Sequence, residues 1–168
     1  IIYMENNSNT KNIKLVKDYG EKKNSIEIPD EWLERKNQLL YINNIFLEDN
    51  LDTPHFYIKK EINKKINGYL QQDKTKNIHD NTSCINFNDI LMKLIESKLK
   101  CNYCSKHIFI IYTKKLQQDQ WTLDRIDNFK GHNNDNTVIS CLKCNIHRGR
   151  INCKKFLFTK KLTIKKSN

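Results

Sequence analysis

The first half of the chain has apolar residues at helical spacing. Residues 31–49 contain Trp32, Leu39 and Ile45 in such a pattern, and we expect a helix here that breaks near residues 43–44. A second helix is predicted over residues 55–78 because Ile58, Ile62 and Ile66 recur four apart.

Residues 85–100 predict a third, amphipathic helix, with Asn88 or Asp89 as its N-terminal cap. This helix leads directly into Cys101, so we expect it to pack as scaffold on the segment that follows.

Beyond residue 106, the pattern of apolar and polar residues changes from helical spacing to that of short β-strands. Residues 107–112 are a short β-prone run, and residues 121–126 and 137–140 predict two antiparallel strands around a loop rich in Asn. Residues 141–150 predict a helix, so this half reads as a ββα unit. The predicted fold class is α+β: a small ββα unit after a mostly helical N-terminal region.

These patterns divide the chain into three parts. Residues 1–25 are polar and without period, and we expect them to be disordered. Residues 26–83 are a helical extension that either packs on the rest or contacts DNA. Residues 84–168 form the ββα domain with a basic C-terminal tail.

The positive charge lies at the C-terminal end. Of the net +11, residues 1–100 contribute 16 Lys/Arg against 15 Asp/Glu, whereas residues 101–168 contribute 14 against 4. From residue 141 onward there are nine basic residues and no acidic one. This asymmetry favours a polyanionic partner such as a phosphate backbone over a merely solvated face.

Four of the six cysteines form two CxxC pairs, Cys101 with Cys104 and Cys141 with Cys144. Each pair presents two thiolates from a tight turn, and two pairs make a closed tetrahedral site for one structural Zn²⁺. No apolar run predicts a membrane span or a secretory signal, so we expect reduced thiols in an intracellular compartment.

A second ion site is predicted beside the cysteines. Asp124 on the first strand and Asn145 on the helix can converge, and their oxygens suit Mg²⁺ or Mn²⁺. Arg148 lies three residues after Asn145 on the same helix face and could clamp a phosphate. Arg150, Lys154 and Lys155 extend this predicted phosphate-binding surface.

Residues 101–150 resemble the HNH (ββα-metal) endonucleases whose unit is held by two CxxC knuckles, and more loosely the HNH proteins of large DNA viruses. The resemblance implies Asp124 and Asn145 as ligands of the catalytic metal, Asn136 as the structural asparagine and the four cysteines as zinc ligands. It also implies a viral protein that acts in the infected host cell.

One position departs from the family pattern. Arg125 stands where the family has its general-base histidine, and an arginine cannot accept a proton at neutral pH. His132, Asp127 and His147 are the candidate bases, favoured in that order, and Arg125 would contact a phosphate or pair with Asp127.

The expected function is metal-dependent hydrolysis of DNA phosphodiester bonds. Two other functions remain open: a zinc-containing module that binds nucleic acid without cleaving it, and an interaction protein whose N-terminal helices dock a partner.

Overall fold

A computed structural model describes residues 28–49 and 51–162 of the chain, so the predicted disorder of residues 1–25 lies outside the described residues. The elements run α1 (Asp30–Leu33), α2 (Arg35–Leu47), α3 (Thr53–Thr75), α4 (Phe87–Glu96), β1 (Trp121–Arg125), β2 (Thr137–Cys141), α5 (Leu142–Arg148) and α6 (Cys153–Lys161). The α+β class is therefore observed. None of the helices in the described ranges is long and apolar enough to cross a lipid bilayer.

The first predicted helix is interrupted at a different place. Glu34 is extended (ψ 127°) and separates α1 from α2, whereas α2 continues through Asn43 and Asn44. The side-chain amide of Asn43 donates to the carbonyl of Leu39, one turn earlier, so this polar side chain forms its hydrogen bond within the helix. The predicted break near residues 43–44 is therefore wrong.

Caps set the beginnings of α3 and α4. The Asp52 side chain accepts from the first turn of α3 while His55 reaches back to the Asp52 amide, a reciprocal capping box. Asn86 caps α4 and exchanges the same pair of bonds with Asp89. The cap of α4 is thus Asn86, and Asp89 is the third residue of the helix, which corrects the predicted cap.

Two features of the second half differ from the predicted elements. Residues 107–112 form only isolated bridges, Lys100 with His107 and Phe109 with Gln120, instead of a strand. The start of the basic tail is a helix, α6, capped by Asn152, whose side-chain oxygen accepts from the amides of Lys154 and Lys155.

The core is continuous from the N-terminal helices to α6. One cluster of buried apolar residues contains Trp32, Ile42, Ile58, Ile62, Ile90, Leu94, Tyr103, Trp121, Leu123, Ile139 and Phe156, among others. Gln38 of α2 is buried and binds the backbone of Ile110 and Ile111 from both ends of its amide. Residues 28–83 therefore pack against the cysteine-containing half.

The two-stranded sheet pairs Leu123 with Ile139 and Asp124 with Val138, and both of its outer edges are covered. On the β1 edge, Lys65 donates to the Trp121 carbonyl and the Tyr69 hydroxyl accepts from the Leu123 amide. On the β2 edge, Lys93 donates to the Thr137 carbonyl, and the Asn102 amide donates to the Ile139 carbonyl. Because unpaired edge groups are costly to bury, these contacts fix the sheet between α3 and α4.

Candidate metal centre and the buried Asp124 network

Four cysteine sulfurs meet at one point. The Sγ atoms of Cys101, Cys104, Cys141 and Cys144 all lie within 4.8 Å of one another. Tetrahedral zinc with Zn–S bonds of about 2.3 Å requires S–S separations of about 3.8 Å, so the cluster fits this ion. The predicted pairing of the two knuckles in one site is confirmed in its geometry.

Local contacts hold the sulfurs ready to bind an ion. The Cys144 amide donates to the Cys141 Sγ at 3.3 Å, and Cys141 is the N-terminal cap of α5. A hydrogen bond from the Cys141 thiol lowers the pKa of Cys101 to about 5, against the opposing effect of burial. Cys101 is thus the thiolate of the cluster, the form that binds metal, whereas the hydrogen bond to Cys101 raises the pKa of Cys141 and burial raises that of Cys144.

Helix α5 presents two side chains to β1. The Asn145 amide nitrogen donates to the Thr122 Oγ1 at 3.0 Å and to the Leu123 carbonyl at 3.1 Å. Arg148, one turn later, donates to Asp124. Residues 122 and 124 share one face of the strand, and residues 145 and 148 share one face of the helix, so the predicted common face is observed.

Asp124 is held on both oxygens. Arg148 Nε lies 2.5 Å from Oδ2 and Arg148 Nη2 lies 2.7 Å from Oδ1, which is a bidentate pair. The Tyr103 hydroxyl donates to Oδ2 at 2.6 Å. Both Asp124 and Arg148 are buried, with exposed fractions of 4% and 1%.

The network also involves the phenol of Tyr103 and the thiol of Cys153, which lies 3.4 Å from the phenol oxygen. Burial and the Asp124 carboxylate raise the pKa of Tyr103 well above its usual range, so the phenol remains a donor. Burial opposes the charge on Arg148, but its bonds to Asp124 raise its pKa above the ordinary value. The guanidinium of Arg148 therefore stays charged.

These contacts correct the role expected of Arg148. Its Nη1 donates to the Ile151 carbonyl at 2.7 Å, and its Nη2 donates to the Asn128 Oδ1 at 2.9 Å and to the Arg125 carbonyl. A buried guanidinium with five acceptors cannot clamp a phosphate without breaking this network. Arg150, Lys154 and Lys155, by contrast, are exposed as a phosphate surface requires.

The residues predicted to take part in the reaction occupy different environments. His132 has an exposed fraction of 4%; its Nδ1 lies 2.8 Å from Asp73 Oδ1 and its ring stacks on Tyr69. Burial lowers the pKa of His132 despite Asp73, so the ring is neutral, but it is shielded from water. Arg125 lies 3.8 Å from Asp73 and pairs with that carboxylate instead of with Asp127, which corrects its expected partner.

The Asp127 carboxylate is half-buried, and within the described part of the chain only its Oδ1 accepts a hydrogen bond, from the Phe129 amide. Asp127 and the exposed His147 combine a proton-accepting group with access to solvent, whereas His132 does not, so the geometry favours Asp127 over His132 as the base. This reverses the predicted ranking.

Asn136 acts as the predicted structural asparagine. Its Oδ1 accepts from the Asp127 amide, and its Nδ2 donates to the carbonyls of Asp127 and Gly131. The buried side chain thus closes the loop between β1 and β2 with three bonds.

Three residues at the site gave no signal in the sequence. Tyr103 lies between Cys101 and Cys104, and Tyr69 and Asp73 lie on α3, in a segment predicted only as a basic helix. Their roles depend on how α3 and the first knuckle pack on β1, and a single sequence does not carry that information.

A search of known protein families, curated proteins and solved structures finds no match to this chain.

Proposed function

We propose that this chain is an HNH-type endonuclease that hydrolyses phosphodiester bonds of DNA. The supporting observation is the register of the ββα unit. Asp124 lies on β1, Asn136 closes the loop before β2, and α5 sets Asn145 against the β1 backbone beside Asp124. The resemblance to HNH endonucleases assigns the two metal ligands and the structural asparagine to these positions.

The free oxygen positions of Asp124 and Asn145 are compatible with a divalent ion. The Asn145 Oδ1 has no hydrogen-bond partner among the described residues, and Asp124 accepts three bonds where a carboxylate offers about four acceptor positions. Mg²⁺ or Mn²⁺ held there would supply Lewis-acid stabilisation of the phosphate charge. The guanidinium of Arg148 counts against tight binding, because like charges repel at short range.

DNA is the proposed substrate because the positive charge lies next to this unit. Arg150, Lys154 and Lys155 are exposed and follow α5 directly, so they are available to a phosphate backbone. Asp127 would accept the proton of the attacking water. The four cysteines would hold zinc as a structural ion without contact with the reaction.

The test is plasmid nicking by zinc-saturated protein, with and without added Mg²⁺ or Mn²⁺. Cleavage should require the second metal, because zinc fills only the cysteine site. Asn145→Ala should abolish nicking and Asp127→Asn should reduce it, whereas Asn63→Ala, an exposed position on α3, should leave it unchanged. Absence of nicking with either metal, or full activity of Asn145→Ala, contradicts the proposal.

A second candidate function is binding of nucleic acid without cleavage. It is favoured by the closed Asp124 network, in which Arg148 and Tyr103 already bind both carboxylate oxygens, and by Arg125 at the expected position of the base. This function predicts affinity that falls steeply with salt and an intact plasmid under every metal condition.

A further inference from the structure

Phe129 lies at the tip of the loop between β1 and β2 and is 90% exposed, more than any other large exposed hydrophobic residue in the described ranges. A phenyl ring held fully in water gains nothing from the fold. Its placement leaves the ring free to contact a partner that approaches the loop.

The loop that carries Phe129 is firmly built. The Phe129 amide donates to Asp127 Oδ1 at 2.9 Å, which closes a turn directly before the ring. The Asn128 side chain donates to the Gly149 carbonyl at 3.2 Å and accepts from Arg148 at 2.9 Å. With the three bonds of Asn136 at its base, the loop fixes the backbone at Phe129 before any partner arrives.

Its surroundings suit a nucleic acid. Lys130 follows Phe129 and is exposed. Arg150 follows Gly149, whose carbonyl accepts a hydrogen bond from the Asn128 side chain. Arg148 bonds both Asn128 and Asp124, so the tip is one residue removed from the network of the proposed active site. An exposed aromatic ring flanked by cations, on a fixed loop, matches the requirements for stacking on a nucleobase while the phosphates are neutralised.

We propose that Phe129 is a nucleobase-binding residue that stacks on an unpaired base next to the phosphate bound by the basic surface. This inference rests on the proposed action on nucleic acid and deepens it, since it assigns a preference for unstacked or single-stranded segments. Stacking on Phe129 should not distinguish one base from another, because every base offers a π-face.

The experiment compares fluorescein-labelled oligo(dT) with an oligonucleotide of the same length built from abasic residues, which has the phosphates but no bases. Wild-type protein should bind oligo(dT) more tightly, and Phe129→Ala should lose about 5- to 100-fold of that affinity with no loss for the abasic strand. Lys130→Ala should weaken binding to both strands equally. Phe56→Ala, which removes an exposed ring on α3, should change neither.

A direct readout comes from Phe129→Trp. The two native tryptophans, Trp32 and Trp121, are buried, so quenching of the new indole by oligo(dT) but not by the abasic strand reports stacking at this position. If Phe129→Ala keeps the full preference for oligo(dT), or the new indole is not quenched, the inference is wrong while nucleic-acid binding stands. If the wild type binds neither strand, both proposals fail.

Discussion

Removing the guanidinium of Arg148 should unfold much of the ββα unit, and the structure sets the scale of this effect. Arg148→Ala removes five hydrogen bonds: two to Asp124, and one each to Ile151, Asn128 and Arg125. It leaves the Asp124 carboxylate buried, with the Tyr103 hydroxyl as its remaining donor.

The expected cost is about 3–5 kcal/mol, because removing one partner of a buried ion pair leaves an uncompensated charge in a medium of low dielectric constant. A domain of this size has a total stability of roughly 5–15 kcal/mol, so the variant should be close to unfolding at physiological temperature. Arg148→Lys should recover only part of the loss, because an ammonium cannot form the bidentate pair.

The measurement is urea denaturation at a fixed, saturating zinc concentration, since bound metal stabilises the native state by mass action. Arg150→Ala is the matched control: it removes an exposed arginine two residues away and should cost less than about 0.5 kcal/mol. In contrast, Arg150→Ala should weaken DNA binding.

A double-mutant cycle tests the ion pair itself. It compares Asp124→Leu, Arg148→Met and the double variant Asp124→Leu/Arg148→Met with the wild type. The double variant removes both charges, so it should be more stable than Arg148→Met alone if the buried carboxylate is the main cause of the loss. A loss below about 1 kcal/mol for Arg148→Ala, or no coupling in the cycle, would refute the ion pair as an element of stability.

Three further outcomes follow from the same geometry. Mass spectrometry should find one zinc per chain in the wild type and in Cys84→Ser, and none in Cys104→Ser, whose Sγ belongs to the cluster. Because the pKa of His132 is lowered on folding, the unfolded state binds more protons below about pH 6.5, so acid should destabilise the wild type more steeply than His132→Gln in denaturation at several pH values. Gly131→Ala should cost about 1–3 kcal/mol in thermal melts, because its Cβ would lie 2.7 Å from a backbone carbonyl, whereas Gly68→Ala on open α3 surface should stabilise by up to about 1 kcal/mol.

Local chemistry accounts for what the sequence predicts well. Two CxxC pairs can satisfy one tetrahedral ion only by coming together, so Cys101 and Cys144 had to be neighbours whatever lies between them. Alternation around residues 121–126 and 137–140 likewise specifies two paired strands, because a shift of one residue would exchange apolar Leu123 with the polar side chains of Thr122 and Asp124, which lie buried on the opposite face.

Charge was the least reliable guide. Arg148 and Arg150 look alike in the sequence, and both read as phosphate contacts next to an HNH-like motif. Helix α5 directs Arg148 towards Asp124 on β1, whereas Arg150 lies beyond the end of the helix and is exposed, so the contact with β1 decides the different role of Arg148. The same holds for His132, whose burial depends on Asp73 of α3, 59 residues earlier.

The position of Asp124 depends on the zinc cluster as well as on α5. Tyr103 lies inside the first knuckle and its hydroxyl binds Asp124 at 2.6 Å, while Arg148 extends from the helix that begins at the second knuckle. Each knuckle therefore contributes one of the two groups that fix the carboxylate. Zinc in the cysteine cluster would therefore hold both groups in place, and Tyr103→Phe should loosen Asp124 while the cysteine cluster stays intact.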